Sequence, residues 1–126
     1  DIYNRFTSEG FLFTNLIHSS AIVSKKIHLE TGIQILAGSI IQQGSSIGVN
    51  TIINTKVSID HDSEIGNHCH IAPGVTVCGN VSIGDNSFIG AGTTIINNIN
   101  IGKNCLVAAG SLIYKDIKDH TFFKNN

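Results

Sequence analysis

Three of the six histidines fall within ten residues, in the run Ile59-Asp60-His61-Asp62-Ser63-Glu64-Ile65-Gly66-Asn67-His68-Cys69-His70. An imidazole flanked on both sides by carboxylates has the ingredients of a general base. Asp60 or Asp62 could hold one ring nitrogen of His61 and fix its tautomer, leaving the other nitrogen free to take a proton. The plain alternative is a group of solvated turn residues, and the surroundings must decide between the two. The three cysteines, Cys69, Cys78 and Cys105, are an odd number for a disulfide framework and fit no zinc-ligand spacing. Cys78 has no base placed beside it, so a nucleophilic thiol is not expected there.

The element that positions these side chains announces itself as a repeat. From Ile17 every sixth residue is aliphatic: Ile17, Val23, Leu29, Ile35, Ile41, Ile47, Ile53, Ile59, Ile65, Ile71, Val77, Ile83, Ile89, Ile95, Ile101, Val107 and Ile113. The residue two before each is small or β-branched, from Ala21 through Ser39, Ser63 and Cys69 to Ser111. A period of six is neither helical nor simply alternating; it describes a short strand and a corner, repeated. A second period lies over the first, because Gly48, Gly66, Gly84 and Gly102 are spaced by 18 and so are Gly74, Gly92 and Gly110. Three hexads therefore make one coil of a triangular solenoid, an all-β parallel β-helix of hexapeptide repeats. Residues 17–116 supply about five and a half coils, roughly 25 Å of height at a strand spacing of ~4.8 Å. Residues 1–16 are expected to be a lead-in, part short helix and part extended. Residues 117–126 are expected to be a tail, since Asp119 occupies the next aliphatic position.

Coil geometry gives the candidate residues neighbours. His61 lies two after the inward Ile59 and so stands on a corner, pointing out of the prism. Gly79 is one coil further on, roughly 4.8 Å away. Its missing side chain leaves room for a ligand atom, and its N–H could face a developing oxyanion. In the next corner column Pro73, Ala91 and Ala109 stack, each followed by a glycine, as a smooth groove into which a slim pantetheine arm would fit. His70 precedes the inward Ile71 and points outward, where it could bind an acyl donor or reach across a subunit interface. His68 has no pattern behind it and is assigned a structural or surface role. Cys69 and Cys105 sit at the small inward position and are core residues in this scheme. Lys103, Lys115, Lys118 and Lys124 could meet a nucleotide phosphate, although Asp116 and Asp119 are interspersed.

Composition closes several doors. Hydrophobic residues make up 41% and charged residues 13%, which excludes a disordered polyelectrolyte. Eight basic against nine acidic residues give a net charge of −1, so neither a nucleic-acid face nor a polybasic membrane patch is expected. No apolar run reaches the roughly 18–20 residues of a membrane helix. A reducing cytoplasm is the expected location, and prisms with three flat faces point to a homotrimer. The chain has no Met, and we expect a piece of a longer product from which a neighbouring domain is missing.

The segments Ile52-Ile53-Asn54-Thr55, Asp60-His61-Asp62, Ile65-Gly66 and His70-Ile71-Ala72-Pro73-Gly74 resemble the hexapeptide acetyltransferases that modify sialic acids and nucleotide-linked amino sugars, the bacillosamine-pathway enzymes among them. Leu16-Ile17-His18-Ser19-Ser20-Ala21 is similar to that family's entry into its solenoid. The resemblance runs over residues 16–124. It implies a left-handed β-helix, a small N-terminal α/β domain of which residues 1–16 would be the end, acetyl-CoA as co-substrate, no metal, and a nucleotide-sugar or sialic acid acceptor. It further implies His61 as general base, Asp62 as the residue raising its basicity, and the Gly79 amide steadying the thioester oxygen. His70, Ala91 and Ala109 are implied to contact acetyl-CoA.

Two rival readings use the same solenoid. A zinc hydratase of the γ-carbonic-anhydrase type needs three histidines around a metal, yet Gly66 is followed by Asn67 and residue 72 is Ala. A non-catalytic scaffold or ice-binding prism would present stacked Thr rows, and Thr51, Thr55, Thr76, Thr93 and Thr94 form no continuous column.

Overall fold

The computed structural model describes residues 2–125; the outermost residues of the expected lead-in and tail, Asp1 and Asn126, lie outside the described residues. After a short helix α1 (Ile2–Ser8), two-residue strands follow one another around a triangular prism of about six turns. The first face carries β1 (Leu16–Ile17), β4 (Gln34–Ile35), β7 (Ile52–Ile53), β10 (His70–Ile71), β13 (Phe88–Ile89), β16 (Leu106–Val107) and β18 (Phe122–Phe123). The second carries β2 (Ile22–Val23), β5 (Ile40–Ile41), β8 (Ser58–Ile59), β11 (Thr76–Val77), β14 (Thr94–Ile95) and β17 (Leu112–Ile113). The third carries β3 (His28–Leu29), β6 (Ser46–Ile47), β9 (Glu64–Ile65), β12 (Ser82–Ile83) and β15 (Asn100–Ile101). Every pairing is parallel, and from β1 to β17 each residue meets its partner 18 positions on, as Ile53 meets Ile71.

Alternation sorts the side chains. The second residue of each strand points inward, and this column is at most 3% exposed from Ile35 to Ile113. At the first coil Ile17 is still 47% exposed, so the prism is open at that end. The small inward positions beside each corner have a second task, which is to satisfy corner carbonyls that no strand partner reaches. Ser39 Oγ donates to Asn54 O at 2.8 Å, Ser45 Oγ to Asp60 O at 3.0 Å and Thr51 Oγ1 to Gly66 O at 2.8 Å. Among the described residues no buried side-chain nitrogen or oxygen lacks a partner.

The two glycine series exist for different reasons. Gly74 and its stack occupy the left-handed region (φ +70°) with open space around them. Gly66 does not; a Cβ there would sit 2.7 Å from the Asp85 nitrogen of the next coil, so close approach excludes a side chain. Elsewhere the left-handed corner position is filled by Asn50, Asp62, His68, Asn80 and others, with φ between 53° and 62°. His68 is one of them, and its structural role is now specific. Its Nδ1 accepts from Asn50 Nδ2 at 3.0 Å, and its ring meets the edge of Tyr3, 5.5 Å between centroids. Tyr3 stacks in turn on Phe13 at 4.5 Å, so these rings seat α1 against the prism.

The ladder continues past the point where the count of six stops. Ile117 bridges Ile101, and Phe123 pairs with Val107, both at a spacing of 16. The turn after Ile113 has lost two residues, which brings Ile117 and Phe123 into the inward column. Asp119, which the count placed inward, instead accepts the Lys103 N–H through Oδ1 at 2.8 Å. At the end of the second face Asn125 imitates a further strand: its Oδ1 accepts the Leu112 N–H at 2.6 Å and its Nδ2 donates to Leu112 O at 3.2 Å.

Candidate active site

The corner between the second and third faces carries His61. Its backbone is fixed from both neighbouring coils: Asp62 N donates to Gln43 O at 3.1 Å, and Asn80 N donates to His61 O at 3.0 Å. Ser45 Oγ holds the Asp60 carbonyl from inside the prism. Asp60 Oδ1 accepts the His61 N–H at 2.8 Å, which leaves Asp62 to bind the ring. His61 Nδ1 donates to Asp62 Oδ2 at 2.9 Å. That bond puts the ring proton on Nδ1 and leaves the Nε2 lone pair free, the tautomer a general base needs. The question of which aspartate orients the imidazole is thus answered by geometry: Asp62 binds the ring and Asp60 binds the main chain.

Electrostatics act in the same direction. The Asp62 hydrogen bond is the main cause that raises the His61 pKa above its ordinary value, and the Asp60 charge adds to it against a small desolvation effect. The pair is half exposed, with 53% and 60% of the two side chains accessible, so its worth lies in basicity and orientation rather than in stability.

The imidazole lies over Gly79. A Cβ built on Gly79 would stand 2.7 Å from both Cε1 and Nε2 of His61, so no other residue leaves the ring in this place. Gly79 is buried and its carbonyl accepts from Asn98 N, while its own N–H has no partner among the described residues. An amide without a partner beside a free imidazole nitrogen can donate to a negative oxygen that forms there. Recesses flank the corner: one of about 260 Å³, whose lining includes Ile40, Gln42, Ser58, Asp60, Thr76 and Cys78, and a polar one of about 440 Å³ that includes Asp62, Glu64, Asn80 and Asn98.

His70, Ala91 and Ala109 are elsewhere. They stand on the first face and on its corner with the second, across the whole second face from His61. The His70 ring is edge-on to Phe88, centroids 5.1 Å apart, and its Nε2 accepts from Asn54 Nδ2 at 3.1 Å. Asn54 was not singled out from the sequence, although its place just after β7, the strand that pairs with β10, was available from the period. Pro73, Ala91 and Ala109 form the expected column: Gly92 N donates to Pro73 O and Gly110 N to Ala91 O. The structure therefore brings His61, Asp62 and Gly79 together and sets His70, Ala91 and Ala109 on a different edge of the same prism. Cys69 and Cys105 are buried, and burial pushes the Cys69 thiol up to about 11. Among the described residues no three metal-binding side chains come together.

Residues 80–115 match the bacterial transferase hexapeptide family (six repeats). Over 94% of its length the chain superimposes with a TM-score of 0.92 on a mutant of perosamine N-acetyltransferase from Caulobacter crescentus, solved in complex with CoA and GDP-perosamine, at 36% identity. It superimposes equally well, at 33% identity and TM-score 0.92, on the acetyltransferase domain of PglB from Neisseria gonorrhoeae in complex with acetyl coenzyme A. WeeI from Acinetobacter baumannii, 21% identical with a TM-score of 0.90, shares the fold. The chain covers 56%, 58% and 58% of these three proteins, a little over half of each. The hexad, the hexapeptide match over residues 80–115 and these likenesses agree: the chain is similar to hexapeptide-repeat transferases and to sugar N-acetyltransferases built on the same β-helix.

Proposed function

We propose that this protein transfers an acetyl group from acetyl-CoA to the amino group of a nucleotide-linked sugar, with His61 as general base. The observation that carries the reading is the His61 ring, tied through Nδ1 to Asp62 and lying over an unpaired Gly79 N–H. The GDP-perosamine and acetyl coenzyme A complexes of the similar proteins support the choice of donor and acceptor. The acceptor nitrogen attacks the thioester carbonyl while His61 Nε2 takes the nitrogen's proton. Negative charge gathering on the carbonyl oxygen meets the Gly79 N–H. As the intermediate collapses, the carbon–sulfur bond breaks and the imidazolium returns the proton to the leaving thiolate. No acyl-enzyme is formed.

The two edges of the prism support a homotrimer as the working unit. A threefold axis parallel to the prism axis leaves every residue at its own height. It can set the His70, Ala91 and Ala109 edge of one copy against the His61 edge of the next. The base of one subunit then faces the pantetheine groove of its neighbour. A cytoplasmic bacterial enzyme fits these substrates, and among the described residues no helix is long and apolar enough to cross a membrane.

The test is thiol release from acetyl-CoA with a panel of UDP- and GDP-linked amino sugars, using the full gene product. His61→Ala should lose about 10²–10⁴-fold in kcat, the usual worth of a positioned base. The variant should remain folded, because the ring it removes is half exposed. Near wild-type turnover in that variant would remove His61 from the mechanism.

A further inference from the structure

Resting on the acetyl-CoA reading above, the geometry points to Lys124 as the residue that holds the diphosphate of the acyl donor. The sequence leaves four lysines of the last quarter equivalent, and the coil register separates them. Lys103 and Lys118 stand on the corner between the third and first faces, and Lys103 Nζ is already 3.6 Å from Asp85 Oδ2. Lys115 stands on the His61 corner, in the column of Gly79 and Asn97, with its ammonium 6.0 Å from the centre of the Tyr114 ring. Of the four, Lys124 alone is on the groove corner. Phe123 pairs with Val107, so the residue after it lies over Ala108, at the head of the column of Ala72, Gly90 and Ala108 that adjoins Pro73, Ala91 and Ala109. Lys124 is exposed and has no ion-pair partner among the described residues.

Height decides the match. Pro73 and Gly79 belong to the fourth coil and Lys124 to the start of the seventh, three strand spacings higher or roughly 14 Å at ~4.8 Å each. Between the sulfur of a thioester and the first phosphorus of CoA lie about thirteen bonds. At the reach of an extended polypeptide, roughly 3.3–3.6 Å for every three bonds, they span roughly 15 Å. An acetyl group at the Gly79 amide thus delivers the diphosphate to the height of Lys124. Lys115 is only two coils above Gly79, roughly 10 Å, where the uncharged part of the arm passes. The two-residue shortening after Ile113 is what turns Lys124 onto this corner, for without it the same residue would fall on another part of the coil.

The experiment compares acetyl-CoA with acetyl-pantetheine, which carries the same thioester without phosphates. Lys124→Ala should raise KM for acetyl-CoA about five- to tenfold, the effect of losing one exposed charge contact, with kcat unchanged. It should leave KM for acetyl-pantetheine as in wild type. The wild-type KM for acetyl-CoA should climb with salt more steeply than that of the variant. Lys103→Ala and Lys118→Ala should match wild type with both donors. Equal KM values for wild type and Lys124→Ala, or an effect carried by Lys115→Ala instead, would overturn the assignment. If no amino sugar drives thiol release at all, and calorimetry detects no CoA binding by the wild type, it is the acyl-transfer reading that falls.

Discussion

Gly79→Ala separates position from chemistry more cleanly than removal of the base. Gly79 does not use the left-handed region, so alanine costs its backbone nothing unusual. The new methyl would nevertheless stand 2.7 Å from Cε1 and Nε2 of His61, where carbon contacts settle at about 3.5–4.0 Å. The ring must retreat by about 1 Å. It can do so cheaply, since it is 53% exposed and held by the single bond to Asp62. Stability in urea should therefore change by less than about 1 kcal/mol, as for most exposed adjustments. Catalysis should not be so tolerant, because a misplacement of about 1 Å in a reacting group can cost about 10²-fold. The expected result is a fall of about 30- to 100-fold in kcat/KM for thiol release, with the unfolding midpoint almost unmoved. A variant that folds and retains kcat/KM within about twofold would show that His61 does its work, if any, away from this amide.

Three further outcomes follow from the same geometry. Only the neutral imidazole can take a proton, so kcat/KM should fall with falling pH along a limb set by the raised His61 pKa. Asp62→Asn removes the main cause of that rise; its limb should move to lower pH, with a lower plateau because a weaker base remains, and a pH–rate profile of both proteins checks this. Ile59→Ala, at a position with no exposure one residue before Asp60, should cost about 2–5 kcal/mol in urea unfolding. In native protein an aromatic disulfide reagent should modify Cys78 alone, and all three cysteines, the buried Cys69 and Cys105 included, should react once the chain is unfolded.

Most of the architecture was legible because one physical requirement, an aliphatic side chain at each inward position, recurs every six residues without interruption through Ile113. The count failed at Tyr114–Ile117, where it sees Asp119 in the wrong place and cannot see that two residues have gone. Only the pairing of Phe123 with Val107 restores the frame. Proximity across one coil was equally legible, and His61 over Gly79 is an 18-residue relation. The choice of Asp62 over Asp60 was not, since both flank the ring in sequence and a main-chain amide claims one of them. Nor was the role of His68, whose partner Tyr3 is 65 residues away and outside the repeat. The residues proposed to meet the acyl donor are visible in sequence as a small-residue column, but the edge on which they stand emerges only when the faces are assembled.

Each turn of this prism touches only the turns directly above and below it. Fraying should therefore begin at the two ends, at the open first coil with Ile17 and at the closing Asn125 clasp, and travel inward turn by turn. His61 and Gly79 sit in the third and fourth of about six turns, the stretch that such end-first melting reaches last. Amide hydrogen exchange should record a gradient of protection that peaks at their corner. Sequence changes at either terminus can then tune the lifetime of the whole rod while leaving its central rung in register.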